Sequence, residues 1–273
     1  MSTVPRTTRP QPIRVGAVSY LNAKPLIVSL AQLAPQVEMV IDVPSRLADA
    51  LGTGRLDVAM IPSIEFARQA GCTIVSDACI ACDGPVRSVK LYSRVPIEEI
   101  RSLALDEGSR TSAALARILL KERFGLNPAI GLLPLGASVD DVWADATVLI
   151  GDRGMLPAGN GFKCVWDLGE QWSAWTGLPF VFAMWIARPA VALRGLEQVL
   201  SAARDQGVAR LEEIARGEAP GLGIPEADCL SYLRDHLEFR LGERQRRGLE
   251  LFYALAERQH LAPAGVQLAF YRG

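Results

Sequence analysis

Two short stretches concentrate hydrogen-bonding side chains where a small anion could be held. In VSYLNAKPL, residues 18–26, a Ser, a Tyr and an Asn follow an apolar run directly, and Pro25 is placed to open a helix. In GSRTS, residues 108–112, a glycine and three hydroxyl residues stand at the head of a strong helical pattern. The free N–H groups of such a helix start, with the helix dipole, favour a negative charge. The hydroxyls of Ser109, Thr111 and Ser112 add donors. Capping needs only one hydroxyl, and three within four positions point to a carboxylate site. Asn22 can donate and accept through its amide, yet Asn beside Pro also flanks turns and caps helices; both readings stay open. Other polar groups fall at the ends of apolar runs: Ser63 after LDVAMI, Arg87-Ser88 before VKLYS, and Gly151-Asp152-Arg153 after TVLI. Asp152 is functional, caps a turn or pairs with Arg153, and these readings stay open. Lys24 reads as a solvated side chain.

Several chemistries have no carrier. There is no G-x-S-x-G, H-E-x-x-H, P-loop or G-x-G-x-x-G pattern, and ALGTGRLD ends in a strand rather than the helix a phosphate loop requires. Cys79-Ile-Ala-Cys82 is one CxxC pair without a second, and His236 and His260 lie far away near the C-terminus; the pair reads as small hydrophobes in a buried strand. No metal or nucleotide cofactor is expected. With 29 basic and 30 acidic residues the net charge is −1, which gives no electrostatic case for nucleic acid or an anionic membrane. The cluster RLGERQRRG over 240–248 fits a solvated helix face. The longest apolar run, 178–187, is far short of a membrane span. The first twelve residues, MSTVPRTTRPQP, read as a short disordered leader without an export signal. Five scattered cysteines then suggest reduced thiols, and a cytoplasmic protein is expected.

The 273 residues, 49% hydrophobic, suffice for a large core. Strands are expected over 13–18, 37–43, 56–61 and within 72–82, with helices over 26–34 and 44–51 between them. After a strand over 86–96, closed by a Pro, the rhythm restarts. Strands over 103–105, 130–135 and 147–150 surround a helix stopped by Gly125, and a helix over 167–177 precedes the aromatic-rich strand LPFVFAMWIAR. The chain from 193 to about 260 reads as helical, with breaks near 217–225 and 261–263. This β-α rhythm predicts mostly parallel sheets in a two-lobed α/β architecture. Lobe one would comprise 1–93 and 186–273, including the C-terminal helices, and lobe two 94–185. The strands over 87–93 and 180–187 would carry the crossings, near 94 and 185. A ligand would sit in the cleft where strand carboxyl ends of both lobes face each other.

Several stretches together, VSYLNAKPL, LDVAMIPSIE, VRSVKLYSR, LDEGSRTSAALARILL, LIGDRGM and DLGEQWSAWTGLPFVFAMW, resemble the chorismate dehydratase family of the futalosine route to menaquinone. The likeness covers residues 13–187 with specific motifs and the C-terminal helices more loosely. The sister family that makes 1,4-dihydroxy-6-naphthoate shares a similar DLGE…TGLP stretch. It typically carries a His where this chain has Gly151-Asp152, which argues against it. The resemblance implies a type II periplasmic-binding-protein fold and loss of water from chorismate, giving 3-[(1-carboxyvinyl)oxy]benzoate. It implies catalytic roles for Asn22, Ser88 and Asp152. It places Ser19 and Tyr20 on the cleft floor, and one substrate carboxylate on Ser109, Arg110, Thr111 and Ser112. Ser63 and Arg87 would serve the other carboxylate or the leaving hydroxyl. The base would be the substrate's own side-chain carboxylate, with Asp152 as the rival. A non-catalytic binding module of the same fold is the alternative class.

Overall fold

The computed structural model describes residues 12–157 and 159–272; the expected leader lies, up to residue 11, outside the described residues. These form strands β1 (Arg14–Val18), β2 (Glu38–Asp42), β3 (Val58–Pro62), β4 (Thr73–Cys82), β5 (Val89–Ser93), β6 (Ser102–Asp106), β7 (Ala129–Leu133), β8 (Ala146–Ile150), β9 (Cys164–Asp167), β10 (Phe180–Ala187) and β11 (Glu238–Arg240). They assemble into two sheets, ordered β11-β4-β10-β3-β1-β2 and β7-β6-β8-β5-β9. β1 runs parallel to β2 and β3, whereas β10 lies antiparallel between β3 and β4. The second sheet repeats the plan: β6 is parallel to β7 and β8, and β5 lies antiparallel between β8 and β9. Each antiparallel strand is the first that the chain contributes after leaving the other sheet.

β5 pairs only within the second sheet and β10 only within the first. The chain therefore passes between sheets before Val89 and before Phe180. Both passages lie ahead of the strands expected to carry them, not near 94 and 185. β3 and β10 are buried along their whole length. That is why both read as continuous apolar runs instead of alternating ones.

The helix expected over 26–34 is broken. A 3-10 turn (Leu21–Ala23) leads into short helices Lys24–Ile27 and Leu30–Leu33. Val28 faces solvent and Ser29 is fully buried between them. The apolar periodicity still reports a shared face, since Leu26 and Leu30 are buried and Ile27 and Leu33 pack against the core. The C-terminal part forms helices Leu196–Val208, Leu211–Leu222, Glu226–Asp235 and Glu243–Arg258. The break expected near 217–225 falls at Gly223, which is left-handed at φ +65°. β9, β11 and a helix over Ser63–Arg68 were not expected. Trp172, Phe180 and Phe252 pack edge to face in the core. Cys79 and Cys82 are buried in β4, and burial pushes both thiols up, which fits their reading as hydrophobes.

Candidate functional site

The carboxyl ends of β1, β3, β6 and β8 and the start of β5 meet around a partly open cleft, at the place where open α/β sheets take their ligands. One wall is apolar: Val18, Pro44, Pro62, Ile80, Val86, Val89, Ile150, Phe182 and Ala183. The polar groups are Tyr20, Asn22, Ser88, Ser109 and Ser112, with Gly151 between them. Among the described residues, Tyr20 is thus the one titratable side chain lining the cleft. Burial, and secondarily the Asp106 charge, push its phenol up to about 12.

β1 delivers Tyr20 and Asn22 to its carboxyl end, and the 3-10 turn holds them on a short connection. Tyr20 packs flat on Gly151, where a Cβ would approach the ring within 2.9 Å. Gly151 also has φ +70°, so both space and backbone require glycine there. The Asn22 Oδ1 atom is buried without a hydrogen-bond partner among the described residues. Ser88 is fully buried, and its hydroxyl accepts a 2.7 Å hydrogen bond from the phenol of Tyr232. The preceding Arg87 is left-handed at φ +61°, a strained state for a non-glycine residue. Asp167 holds that strain: its carboxylate accepts from Val86 N at 2.9 Å and Arg87 N at 2.6 Å, and caps helix Leu168–Thr176 through Gly169 N and Glu170 N.

Helix Arg110–Phe124 starts at the cleft. Ser109 is its cap and accepts from Ser112 N, and the two hydroxyls lie 3.0 Å apart. The first N–H groups of such a helix have no intrahelical partner. The loop before it is fixed by Asp106, which accepts from Gly108 N at 2.8 Å and pairs with Arg153 at 2.7 Å. Burial raises the Asp106 carboxyl above its ordinary range, against the pull of these partners.

Of the residues singled out from sequence, Tyr20, Asn22, Ser88, Ser109 and Ser112 line the cleft. The others stand elsewhere. Ser19 is exposed, with its N–H on Asp42 O. Thr111 is fully buried; its hydroxyl accepts from Ile64 N at 3.2 Å and lies 3.3 Å from Ser63 Oγ. Ser63 in turn donates to Val181 O. These two hydroxyls therefore join the two halves of the molecule. Arg110 does the same, reaching Asp49 at 2.8 Å and Glu65 at 3.1 Å. Arg87 turns toward Asp228 at 3.8 Å. Asp152 accepts from Leu21 N at 3.0 Å, and burial raises its carboxyl. Tyr232, Asp167 and Phe182 were not singled out from sequence. Tyr232 has one sequence cue: a Tyr on the apolar face of a helix must find a partner for its hydroxyl.

The menaquinone biosynthesis family model matches residues 13–258. The chain belongs to that family. A chorismate dehydratase from Thermus thermophilus is 31% identical over 260 residues, covering 89% of this chain and 94% of the relative. A second chorismate dehydratase, from Campylobacter jejuni, is 27% identical over 254 residues, covering 90% and 99%. Among solved structures, protein AF1704 from Archaeoglobus fulgidus matches with a TM-score of 0.76 at 18% identity, covering 93% of this chain and all (100%) of that one. The periplasmic aliphatic sulphonate-binding protein SsuA from Escherichia coli matches at 0.61 and 16%, covering 97% and 95%. At these identities the likeness is one of fold, and the fold of this family member is periplasmic-binding-protein-like. Among the described residues no helix is long and apolar enough to cross a membrane.

Proposed function

We propose that this chain is a chorismate dehydratase, a hydro-lyase that converts chorismate to 3-[(1-carboxyvinyl)oxy]benzoate and water on the futalosine route to menaquinone. The observation that carries the reading is the uncharged cleft of this family member, mostly apolar, with Asn22, Ser88, Ser109 and Ser112 as its neutral polar groups beside Tyr20. An apolar wall suits a ring that becomes aromatic, and neutral donors suit a substrate with two carboxylates.

The C3 proton of chorismate is vinylogous to the ring carboxylate through the C1–C2 double bond. Its removal sends the electron pair toward that carboxylate. The pair returns as the C3–C4 double bond when the C4–O bond breaks, and the departing hydroxide takes up a proton to become water. The N–H groups and hydroxyls at the start of helix Arg110–Phe124 receive the ring carboxylate, where charge develops. Ser88 donates to the leaving C4 oxygen. Asn22 Oδ1, which lacks a partner among the described residues, accepts from the same hydroxyl in the bound state.

The substrate's own side-chain carboxylate is the base. Two features support this. The phenol of Tyr20, the one titratable group lining the cleft among the described residues, is held near 12 and is no base at neutral pH. The Asp152 carboxylate is engaged with Leu21 N and does not line the cleft. The protein's part is to hold chorismate with its carboxylate over C3. All five cysteines are unpaired, which supports a reducing compartment and hence the cytoplasm.

Incubation of the purified protein with chorismate, followed by ultraviolet spectroscopy and mass analysis, tests the reading. The expected result is loss of the diene absorbance with appearance of an aromatic product one water lighter. Tight chorismate binding without product would make the protein a binding module instead.

A further inference from the structure

Tyr232 lies 144 residues beyond Ser88 in the chain, on the helix Glu226–Asp235, and does not line the cleft. Its side chain is completely buried, and its hydroxyl donates to Ser88 Oγ at 2.7 Å. The phenol is also close enough to the Asn22 side chain for that amide to pull its pKa down, while burial, the larger effect, pushes it up. It therefore stays protonated and can only be a donor to Ser88 when the Ser88 proton points elsewhere. Ser88 comes from the start of β5 in one sheet, and Asn22 from the end of β1 in the other. The phenol thus stands close to two of the polar groups of the cleft, one from each sheet.

A serine hydroxyl has one proton and a nearly free rotor. Left alone, Ser88 would spend that proton on whatever acceptor is nearest. With its oxygen accepting from Tyr232, the proton is left for the cleft, which Ser88 lines. The surrounding backbone is rigid. A Cβ on Gly154 would come within 2.5 Å of the Ser88 carbonyl oxygen, so helix Asp152–Met155 is packed tightly against it. Arg87 N is pinned by Asp167.

We propose that Tyr232 is a positioning residue that sets the direction of the Ser88 hydroxyl, so that Ser88 donates into the cleft and Asn22 is left with a free acceptor for the substrate. The proposal rests on the dehydratase reading above, because it assigns the Ser88 proton to the leaving C4 oxygen. Tyr232 touches no substrate atom. It acts through Ser88, so its effect must disappear when Ser88 is removed.

The experiment is a double-mutant cycle on the full chain with chorismate as substrate: wild type, Tyr232→Phe, Ser88→Ala and the double variant. Tyr232→Phe is expected to lower kcat roughly tenfold to a hundredfold, the scale of a misdirected group at a reacting atom, with KM changed less than about threefold. In the Ser88→Ala background the same substitution is expected to change kcat less than about twofold. Incorporation of 4-aminophenylalanine at position 232 restores a donor at the same place and is expected to recover most of the loss. If Tyr232→Phe does not stay folded, the comparison is made between 4-aminophenylalanine and 4-fluorophenylalanine at that position, which differ in donor capacity. Equal losses in both Ser88 backgrounds, or a fully active Tyr232→Phe enzyme, overturn the positioning role. Absence of product from the wild-type protein overturns the dehydratase reading itself, and with it this proposal, and the wild-type arm distinguishes the two failures.

Discussion

Asn22 lines the cleft while Asp152 accepts from Leu21 N on the same short connection, and substitution separates their roles. Asn22→Asp keeps the shape of the side chain but exchanges an amide for a carboxylate facing a doubly charged substrate. Turnover is expected to fall about a hundredfold or more, with thermal melting unchanged within a few degrees, since little packing is lost. Melting of the fold, with normal turnover by whatever remains folded, would make Asn22 a cap. Asp152→Asn differs, because an amide oxygen can still accept from Leu21 N. Turnover is expected to survive within about tenfold, and a larger loss would restore Asp152 as the base. Its effect on stability has a definite sign. Burial raises the folded-state carboxyl above its unfolded value. The folded protein therefore binds the proton more tightly, and this favourable contribution, complete below the unfolded pKa, is lost as pH rises through the folded one. The amide in the Asp152→Asn variant has no such proton to lose. The melting temperature of that variant relative to wild type is thus expected to rise from pH 4 to pH 7, and a flat difference would contradict the buried-charge account.

Among the elements, the start of helix Leu168–Thr176 is where fold and site are coupled. Asp167 accepts from four backbone N–H groups, two of its own helix and two of the strained Val86-Arg87 segment that presents Ser88. Asp167→Ala removes the cap, at about 1 kcal/mol, and leaves further N–H groups without an acceptor, at about 1–3 kcal/mol. A fall in melting temperature of roughly 5–10 °C is expected. Turnover should drop even at temperatures where the variant is fully folded, because Arg87 relaxes from its left-handed state and carries Ser88 with it. Unchanged turnover in the folded variant would uncouple the cap from the site. This coupling was invisible in the sequence, where DLGE reads as an ordinary helix start. The strand-end logic did pick out Tyr20, Asn22, Ser88, Ser109 and Ser112, which line the cleft, because residues flanking an apolar run stand near a sheet edge. It failed for Thr111 and Arg110, which share a helix turn with Ser109 and Ser112 but face the other half of the molecule. Linear spacing gives nearness to an edge and not the direction of a side chain. For Tyr232 the sequence offers the need of a buried phenol for a partner but not which partner, because only tertiary packing brings a C-terminal helix to Ser88. β9 and β11 escaped because four and three residues are too few for a periodicity to register.

At the scale of the whole molecule, the sheets repeat one strand order, each completed by an antiparallel strand received from the other. The β-α rhythm made two such units legible. The passages between them were placed late because a strand that follows a crossing looks, in sequence, like one that makes it. Side chains seal the two units together around the cleft: Ser63 with Thr111, Asp152 with Leu21, and Arg110 with Asp49 and Glu65. If these halves move as lobes, Arg110 is the charged latch of the closed state and not a ligand for a carboxylate. Arg110→Met keeps the aliphatic stem and removes the charge, while Glu65 keeps Arg68 at 2.7 Å and is not left unpaired. Partly exposed ion pairs of this kind contribute up to about 1 kcal/mol, which would shift the closed population by roughly fivefold. KM for chorismate is therefore expected to rise by about that factor with kcat within twofold, because substrate binding restores the closed site. Small-angle scattering should show a larger radius of gyration for the ligand-free variant and the same radius as wild type at saturating chorismate. High salt should move ligand-free wild type toward the variant, since screening weakens the same pairs. A KM increase of about a hundredfold, with no change in dimensions, would instead return Arg110 to the substrate as a direct ligand.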